Sequence, residues 1–302
     1  MRWAVDWNHD GADWPNREAS RFVVADGLTW HVQILGNGPP LLLLHGTGAA
    51  THSWRDLAPL LARHFTVIAP DLPGHGFTDL YPHQNLSLPR MAAAVAALLG
   101  ALDIRPELVA GHSAGAAIAI RMTIDGTLAP RALISLSGAL KPFSGLEGVI
   151  FPALARLLFL NPLAASLLAW RASDHARVAR VIAQTGSTLD ERGLDLYVRL
   201  LATARHVSAA LSQMACWDLG PFQWELPRLS VPLTLVAPEN DHAVPPEAAR
   251  NARARCPVST LIPVPGLGHL AHEEAPGTLA DIIVAACGGG NAGEPCEKHH
   301  EG

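Results

Sequence analysis

The sequence predicts an α/β fold: a mostly parallel, doubly covered sheet with an inserted helical cap. Three observations carry this. Short apolar runs without polar alternation recur along the chain, as strands buried on both faces require. Segments with helical spacing separate them, and strands alternating with helices build a parallel sheet covered on both sides. The rhythm breaks once, between about Leu140 and Arg228, where leucine, alanine and arginine recur at helix spacing and no convincing strand occurs.

Taken in order, residues 1–20 hold three of the eight tryptophans (Trp3, Trp7 and Trp14) and read as an arm that packs its rings onto the domain. Leu28 to Leu35 alternates apolar and polar positions, the pattern of an antiparallel edge strand. The buried runs are Leu41–Leu44, Thr66–Ala69, Leu108–Ala110, Ala132–Leu136, Leu233–Val236 and Thr260–Val264. Between them, Ser53 to Arg63 places Trp54, Leu57, Leu60 and Leu61 on one helical face. Leu88 to Leu102 is rich in alanine and leucine with Pro89 in its first turn, and Ala114 to Ile124 completes the helices. The core is expected over 1–139 and 229–286, the cap over 140–228, and a disordered Gly/Glu-rich tail over 287–302. A cap inserted between two strands lies over the strand ends, where open α/β sheets place their ligands.

The chain has 302 residues, 49% hydrophobic and 16% charged, enough for a substantial core. A net charge of −5 without a basic run argues against nucleic acid as a partner. Cys216, Cys256, Cys287 and Cys296 lack framework spacing and read as reduced thiols of a cytoplasmic protein. Cys287, Cys296, His299 and His300 could form a metal cluster, but they fall at the Gly/Glu-rich end, which reads as a disordered tail, and no cofactor or metal is expected. The most apolar stretch, Val149 to Trp170, is interrupted by Pro152, Arg156, Asn161 and Pro162, short of a membrane span. Any membrane contact through it is at most peripheral.

The chemistry centres on Gly111-His112-Ser113-Ala114-Gly115, between an apolar run and a small-residue helix. A strand turning abruptly into a helix strains the corner residue and projects its side chain, and flanking glycines let the two elements pass closely. Ser113 is thus the candidate nucleophile, and the Ala114 amide, at a helix N-terminus, one oxyanion donor. Serine needs a base, and the base an orienting acid. His269 follows the last strand on a loop that Gly266 and Gly268 let bend; His272, three residues on, is its rival. Asp241, after Leu233–Val236, is the favoured acid, with Glu239 second; the position one strand earlier reads Leu136-Ser137-Gly138-Ala139, without a carboxylate. His45-Gly46-Thr47-Gly48, after the Leu41–Leu44 strand, supplies the second amide, that of Thr47. It lacks the lysine and spacing of a phosphate loop. His45 and His112 read as structural, and His75 as ordering a loop beside the site.

With Asp71-Leu72-Pro73-Gly74-His75-Gly76 and Asp241-x-x-Val244-Pro245, these motifs resemble the α/β-hydrolase superfamily over nearly the whole chain. The resemblance implies an α/β-hydrolase fold and the chain order Ser–Asp–His. Further segments resemble the magnesium chelatase accessory proteins of anoxygenic phototrophs. These are Asp13–Phe22, Thr51-His52-Ser53-Trp54-Arg55-Asp56-Leu57, Thr185-Gly186-Ser187 with Leu189-Asp190, and Gly266–Glu274. That resemblance implies bacteriochlorophyll biosynthesis near magnesium insertion, and a name of this kind does not define a reaction. The expectation is a serine hydrolase acting on an ester or acyl group of a small hydrophobic substrate, which the resemblance makes tetrapyrrole-related, with magnesium chelatase as an implied partner. The alternative is a non-catalytic porphyrin-binding or chelatase accessory protein. Epoxide hydrolases and haloalkane dehalogenases need an aspartate where this chain has Ser113. Carbon–carbon bond hydrolases and perhydrolases share the serine triad and stay open.

Overall fold

A computed structural model describes residues 2–82, 85–142, 157–158, 161 and 163–288. The N-terminal arm carries a short helix α1 (Trp7–Asp10), followed by strands β1 (Ser20–Ala25), β2 (Leu28–Leu35) and β3 (Pro40–Leu44). Then come α2 (Leu57–Leu61), β4 (Thr66–Pro70), α3 (Leu88–Leu102), β5 (Leu108–His112), α4 (Ala114–Ile124) and β6 (Ala132–Leu136). Between β6 and β7 (Leu233–Pro238) the described elements are helical: α5 (Ala164–Arg171), α6 (His175–Gln184), α7 (Glu191–Leu201), α8 (Ala204–Cys216) and α9 (Leu219–Glu225). The chain closes with α10 (Glu247–Arg255), β8 (Ser259–Val264), α11 (Ala271–Glu274) and α12 (Pro276–Gly288).

The eight strands form one sheet in the order β1-β2-β4-β3-β5-β6-β7-β8. Pairs β1/β2 and β2/β4 are antiparallel, and all pairs from β4 to β8 are parallel. Alternate residues of β3 show why these strands read as unbroken apolar runs. Leu42 and Leu44 enter a core shared with α3 and α4, while Leu41 and Leu43 enter one shared with α2 and α12. Both sheet faces are dry, so period-two alternation vanishes. Each such leucine adds roughly 2 kcal/mol of transfer free energy.

In the helical insertion, Asp174, Asp190 and Asp218 accept from backbone N–H groups of the first turns of α6, α7 and α9. Such caps stabilise a helix start by about 1 kcal/mol each.

Three expectations need correction. The sheet edge is β1, not Leu28–Leu35, which pairs on both sides; β1 has an irregular burial pattern and no alternation to betray it. Ser53 to Arg63 is not one helix but a 3-10 turn over Thr51–Trp54 followed by α2. Pro59 lacks an N–H and would clash with the carbonyl four residues back, so it is tolerated only in the first turn of the short α2. In the arm, Trp7 and Trp14 pack edge-on to Phe77, but Trp3 is 61% exposed. Of the apolar stretch Val149 to Trp170, residues 149–156, 159–160 and 162 lie outside the described residues, as do residues 289–302 of the expected tail, whereas Cys287 is buried in α12.

Candidate active site

β3 is flanked by β4 on one side and β5 on the other, so strand order reverses there. The loops after β3 and β5 diverge at this point and leave a crevice at the strand ends. Leu44 pairs with Gly111, which brings His45–Gly48 alongside Gly111–Gly115. Ser113 sits at φ 50° and ψ −112°, a conformation that L-residues rarely adopt. Holding it there costs about 1–3 kcal/mol. The elbow is over-determined: the Ser113 N–H donates to Leu136 O at 2.9 Å, and its carbonyl accepts from Ala116 at 3.2 Å and Ala139 at 3.0 Å. A Cβ on Gly115 would collide with the Leu44 carbonyl, and one on Gly111 with the Ala116 amide. A Cβ on Gly46 would lie 3.1 Å from the Ser113 Cβ, so the β3 loop lies directly against the serine.

His269 and Asp241 are joined by an Nδ1···Oδ2 hydrogen bond of 2.9 Å, with Asp241 buried. The second Asp241 oxygen accepts from the Ala243 N–H at 2.9 Å and the Val244 N–H at 2.7 Å, so the carboxylate is aimed by its own loop. His112, beside Ser113 in sequence, donates its Nε2–H to the His269 carbonyl at 3.0 Å. That bond ties the His269 loop to the elbow. Among described residues, neither the Ser113 hydroxyl nor His269 Nε2 has a hydrogen-bond partner, and catalytic hydrogen bonds are often open before substrate binds. The His272 ring packs on that of His112 in the elbow, with centroids 4.4 Å apart, but its Nε2 is engaged elsewhere. Its Nε2 lies 2.8 Å from the Ser53 hydroxyl in a buried cluster. Glu239 is exposed, whereas Asp241 is buried against the imidazole.

The amide-bearing loops are held by neutral histidines. Burial keeps the imidazoles of His45, His75, His112 and His206 below their ordinary value, so each has one donor and one acceptor nitrogen. The Leu72 N–H donates to His45 Nε2 at 2.9 Å, so the proton is on Nδ1, which donates to Gly46 O at 2.8 Å. Carbonyl and N–H of a trans peptide point oppositely. Pinning the Gly46 carbonyl therefore turns the Thr47 N–H to the other side of the loop. The Thr47 and Ala114 amides have no partner among the described residues. His206, on α8, accepts from the Gly76 N–H at 3.2 Å and donates to Gly48 O at 2.9 Å, bracing the loops after β3 and β4. His75 donates to Pro73 O at 3.1 Å, as expected of a loop-ordering residue. Asp71 accepts from Thr51, Phe77 and His31; against the cost of burial, His31 and the Phe77 N–H hold its carboxyl well below the usual range.

Two features rest on tertiary contacts that the sequence does not show. His206 lies in no motif, and its role depends on where α8 docks. The second is a buried cluster in which Ser53 donates to Glu273 at 2.5 Å and Tyr197, on α7, donates to the same oxygen at 2.7 Å. Burial raises the Glu273 carboxyl to about 7 and lowers the His272 imidazole to about 3. Next to the Asp241 loop, a cleft of about 310 Å³ opens between Ala139, Lys141, Leu219, Val244 and Glu247. Ser113 and His269 do not line it. It adjoins them through Ala139, bonded to the Ser113 carbonyl, and Val244, bonded to Asp241. Among the described residues there is no metal-ligating cluster and no helix long and apolar enough to cross a membrane.

The sequence profile of the alpha/beta hydrolase family matches residues 41–282. The chain is 38% identical over 275 residues to the magnesium-chelatase 30 kDa subunit of Rhodobacter capsulatus, covering 90% of this chain and 96% of that protein. It is 35% identical over 112 residues to a 2-hydroxy-6-oxo-2,4-heptadienoate hydrolase of Pseudomonas putida, covering 36% of this chain and 41% of that one. Among solved structures, an alpha/beta hydrolase fold protein from Burkholderia ambifaria superposes with a TM-score of 0.75 at 27% identity, covering 88% and 97% of the two chains.

Proposed function

The chain belongs to the alpha/beta hydrolase family, and on that premise we propose that it is a serine hydrolase using Ser113, His269 and Asp241. The observation that carries this reading is the 2.9 Å bond from His269 Nδ1 to Asp241, whose other oxygen is already occupied by its own loop. It fixes the tautomer: Nδ1 keeps its proton and Nε2 is left as the base. Ser113 Oγ attacks the acyl carbon as its proton passes to Nε2. The Thr47 and Ala114 amides take the developing oxyanion. Collapse expels the alcohol, which receives the proton from Nε2, and water repeats the sequence in reverse to free the acid and Ser113. Asp241 orients the imidazole and stabilises its transient positive charge.

The helical insertion acts as a cap over this centre in the proposal, with a hydrophobic, tetrapyrrole-related ester as substrate. Similarity to a protein named as a magnesium-chelatase subunit supports a place near that step and magnesium chelatase as a partner. The same name favours the second reading, a porphyrin-binding accessory role without turnover. A fluorophosphonate probe tests the first: wild-type protein is labelled and Ser113→Ala, with unchanged circular dichroism, is not. Equal labelling of both removes Ser113 as nucleophile. Porphyrin binding without turnover, indifferent to Ser113→Ala, selects the accessory reading.

A further inference from the structure

The turn Thr185-Gly186-Ser187, at the end of α6, is wedged between the two loops that carry the acid and the base. The Thr185 carbonyl accepts from the His242 N–H at 3.1 Å and from the His269 N–H at 3.4 Å. One oxygen thus holds the residue after Asp241 and the base itself. The buried Ser187 hydroxyl accepts from the Leu270 N–H at 2.8 Å. Glu274 closes the frame, accepting from the Gly268 N–H at 3.0 Å and from the Thr188 N–H at 3.3 Å. The fit leaves no room for a side chain. Gly186 has φ +85°, and a Cβ there would strike the Asn240 carbonyl, while a Cβ on Gly268 would strike the Gly186 carbonyl.

The sheet fixes where β7 and β8 end, but Asp241 and His269 lie three and five residues beyond those ends. Between strand end and functional group, the Asn240 N–H to Leu267 O bond of 2.9 Å joins the loops directly. The Glu239 N–H to Val264 O bond, also 2.9 Å, joins them at the strand ends, whereas the bonds to Thr185 and Ser187 pass through the turn. A shift of one loop against the other misaligns an Nδ1···Oδ2 bond that depends on both.

We propose that Thr185-Gly186-Ser187 is a positioning element that sets the register of the His269 and Asp241 loops. It rests on the reading of His269 and Asp241 as base and acid. The insertion thereby contributes to the catalytic geometry in addition to covering it. Neither Thr185 nor Ser187 takes part in proton transfer.

The test uses Ser187→Ala, which removes the acceptor of the Leu270 N–H, and Ser187→Thr, which keeps it. Ser187→Cys, nearly the same size with a weaker acceptor, replaces the alanine variant if that fails to fold. Two readouts are taken on folded protein: steady-state hydrolysis of p-nitrophenyl butyrate, and the downfield proton resonance of the His269 Nδ1–H. The expected result for Ser187→Ala is a fall in kcat of about ten-fold with KM unchanged, because a misaligned base costs transition-state stabilisation alone. The Nδ1 resonance shifts upfield or broadens, and Ser187→Thr restores both. An unchanged kcat and resonance in folded Ser187→Ala overturns the proposal, as does a loss that Ser187→Thr fails to restore. If wild-type protein neither hydrolyses the ester nor reacts with a fluorophosphonate, the hydrolase reading fails, and the resonance still decides the positioning role.

Discussion

Glu273 gives the sharpest physical forecast. Its carboxyl is fully buried, holding Ser53 and Tyr197 on one oxygen, while the other has no hydrogen-bond partner and lies 3.9 Å from Arg55. Burial outweighs the Ser53 and Tyr197 hydrogen bonds and the Arg55 charge, raising it from 4.5 to about 7. An acid with a raised folded-state pKa binds its proton more tightly when folded. Stability therefore falls as pH rises between the two values. At 1.36 kcal/mol per pKa unit the full loss is about 3 kcal/mol, of which about 2.5 kcal/mol falls between pH 5 and 8. With an unfolding entropy of about 2.1 cal/mol/K per residue, that loss lowers Tm by about 4 °C. Glu273→Gln keeps an acceptor oxygen and does not titrate. The assay is Tm against pH at constant ionic strength for both proteins, expressed as a difference so that the other titrating groups cancel. The wild type is expected to lose about 4 °C relative to Glu273→Gln from pH 5 to 8. A flat difference, or one that grows with pH, refutes the argument that desolvation dominates this carboxyl.

His206→Ala frees the Gly48 carbonyl and the Gly76 amide, so kcat for an aryl ester is expected to drop about ten- to a hundred-fold with KM little changed. Affinity for a boronic acid, which mimics the tetrahedral state, should fall in proportion; an unaltered boronate affinity would remove His206 from the support of the Thr47 loop. Gly115→Ala forces a methyl into the Leu44 carbonyl and is expected to cost about 3 kcal/mol or more, read as a Tm lower by about 5 °C. Gly100→Ala, in α3 with open space around it, should instead raise stability by about 0.5–1 kcal/mol. Equal effects at the two glycines would show that the close approach at the elbow is not limiting.

Much of the candidate site was legible because its members are local. The glycine–x–serine–x–glycine turn specifies its own strain, since Gly111 and Gly115 are needed wherever a helix starts against a neighbouring strand end. Asp241 and His269 were legible from their positions after the last two parallel strands. What misled was also local. Leu28–Leu35 alternates like an edge strand, yet β1 covers its outer side, because burial on one face does not say whether the lateral hydrogen bonds are shared. Helical spacing over Ser53–Arg63 hid the break that Pro59 requires. The preference for His269 over His272 was argued from glycines, and the proposal rests it on partners that only the fold supplies: His269 meets Asp241, while His272 meets Ser53.

The sequence by itself determined the strand–helix alternation, the helical insertion and the residue types at each strand end, because backbone propensity and hydrophobic period act over a few residues. Tertiary structure alone decided which groups hold them. His206 braces Gly48 from 158 positions away, Tyr197 reaches Glu273 across 76, and the Ser187 hydroxyl meets the Leu270 amide across 83. Such contacts depend on how the insertion docks on the strand ends. That docking is a sum of many weak packing terms with no short-range signature in the chain.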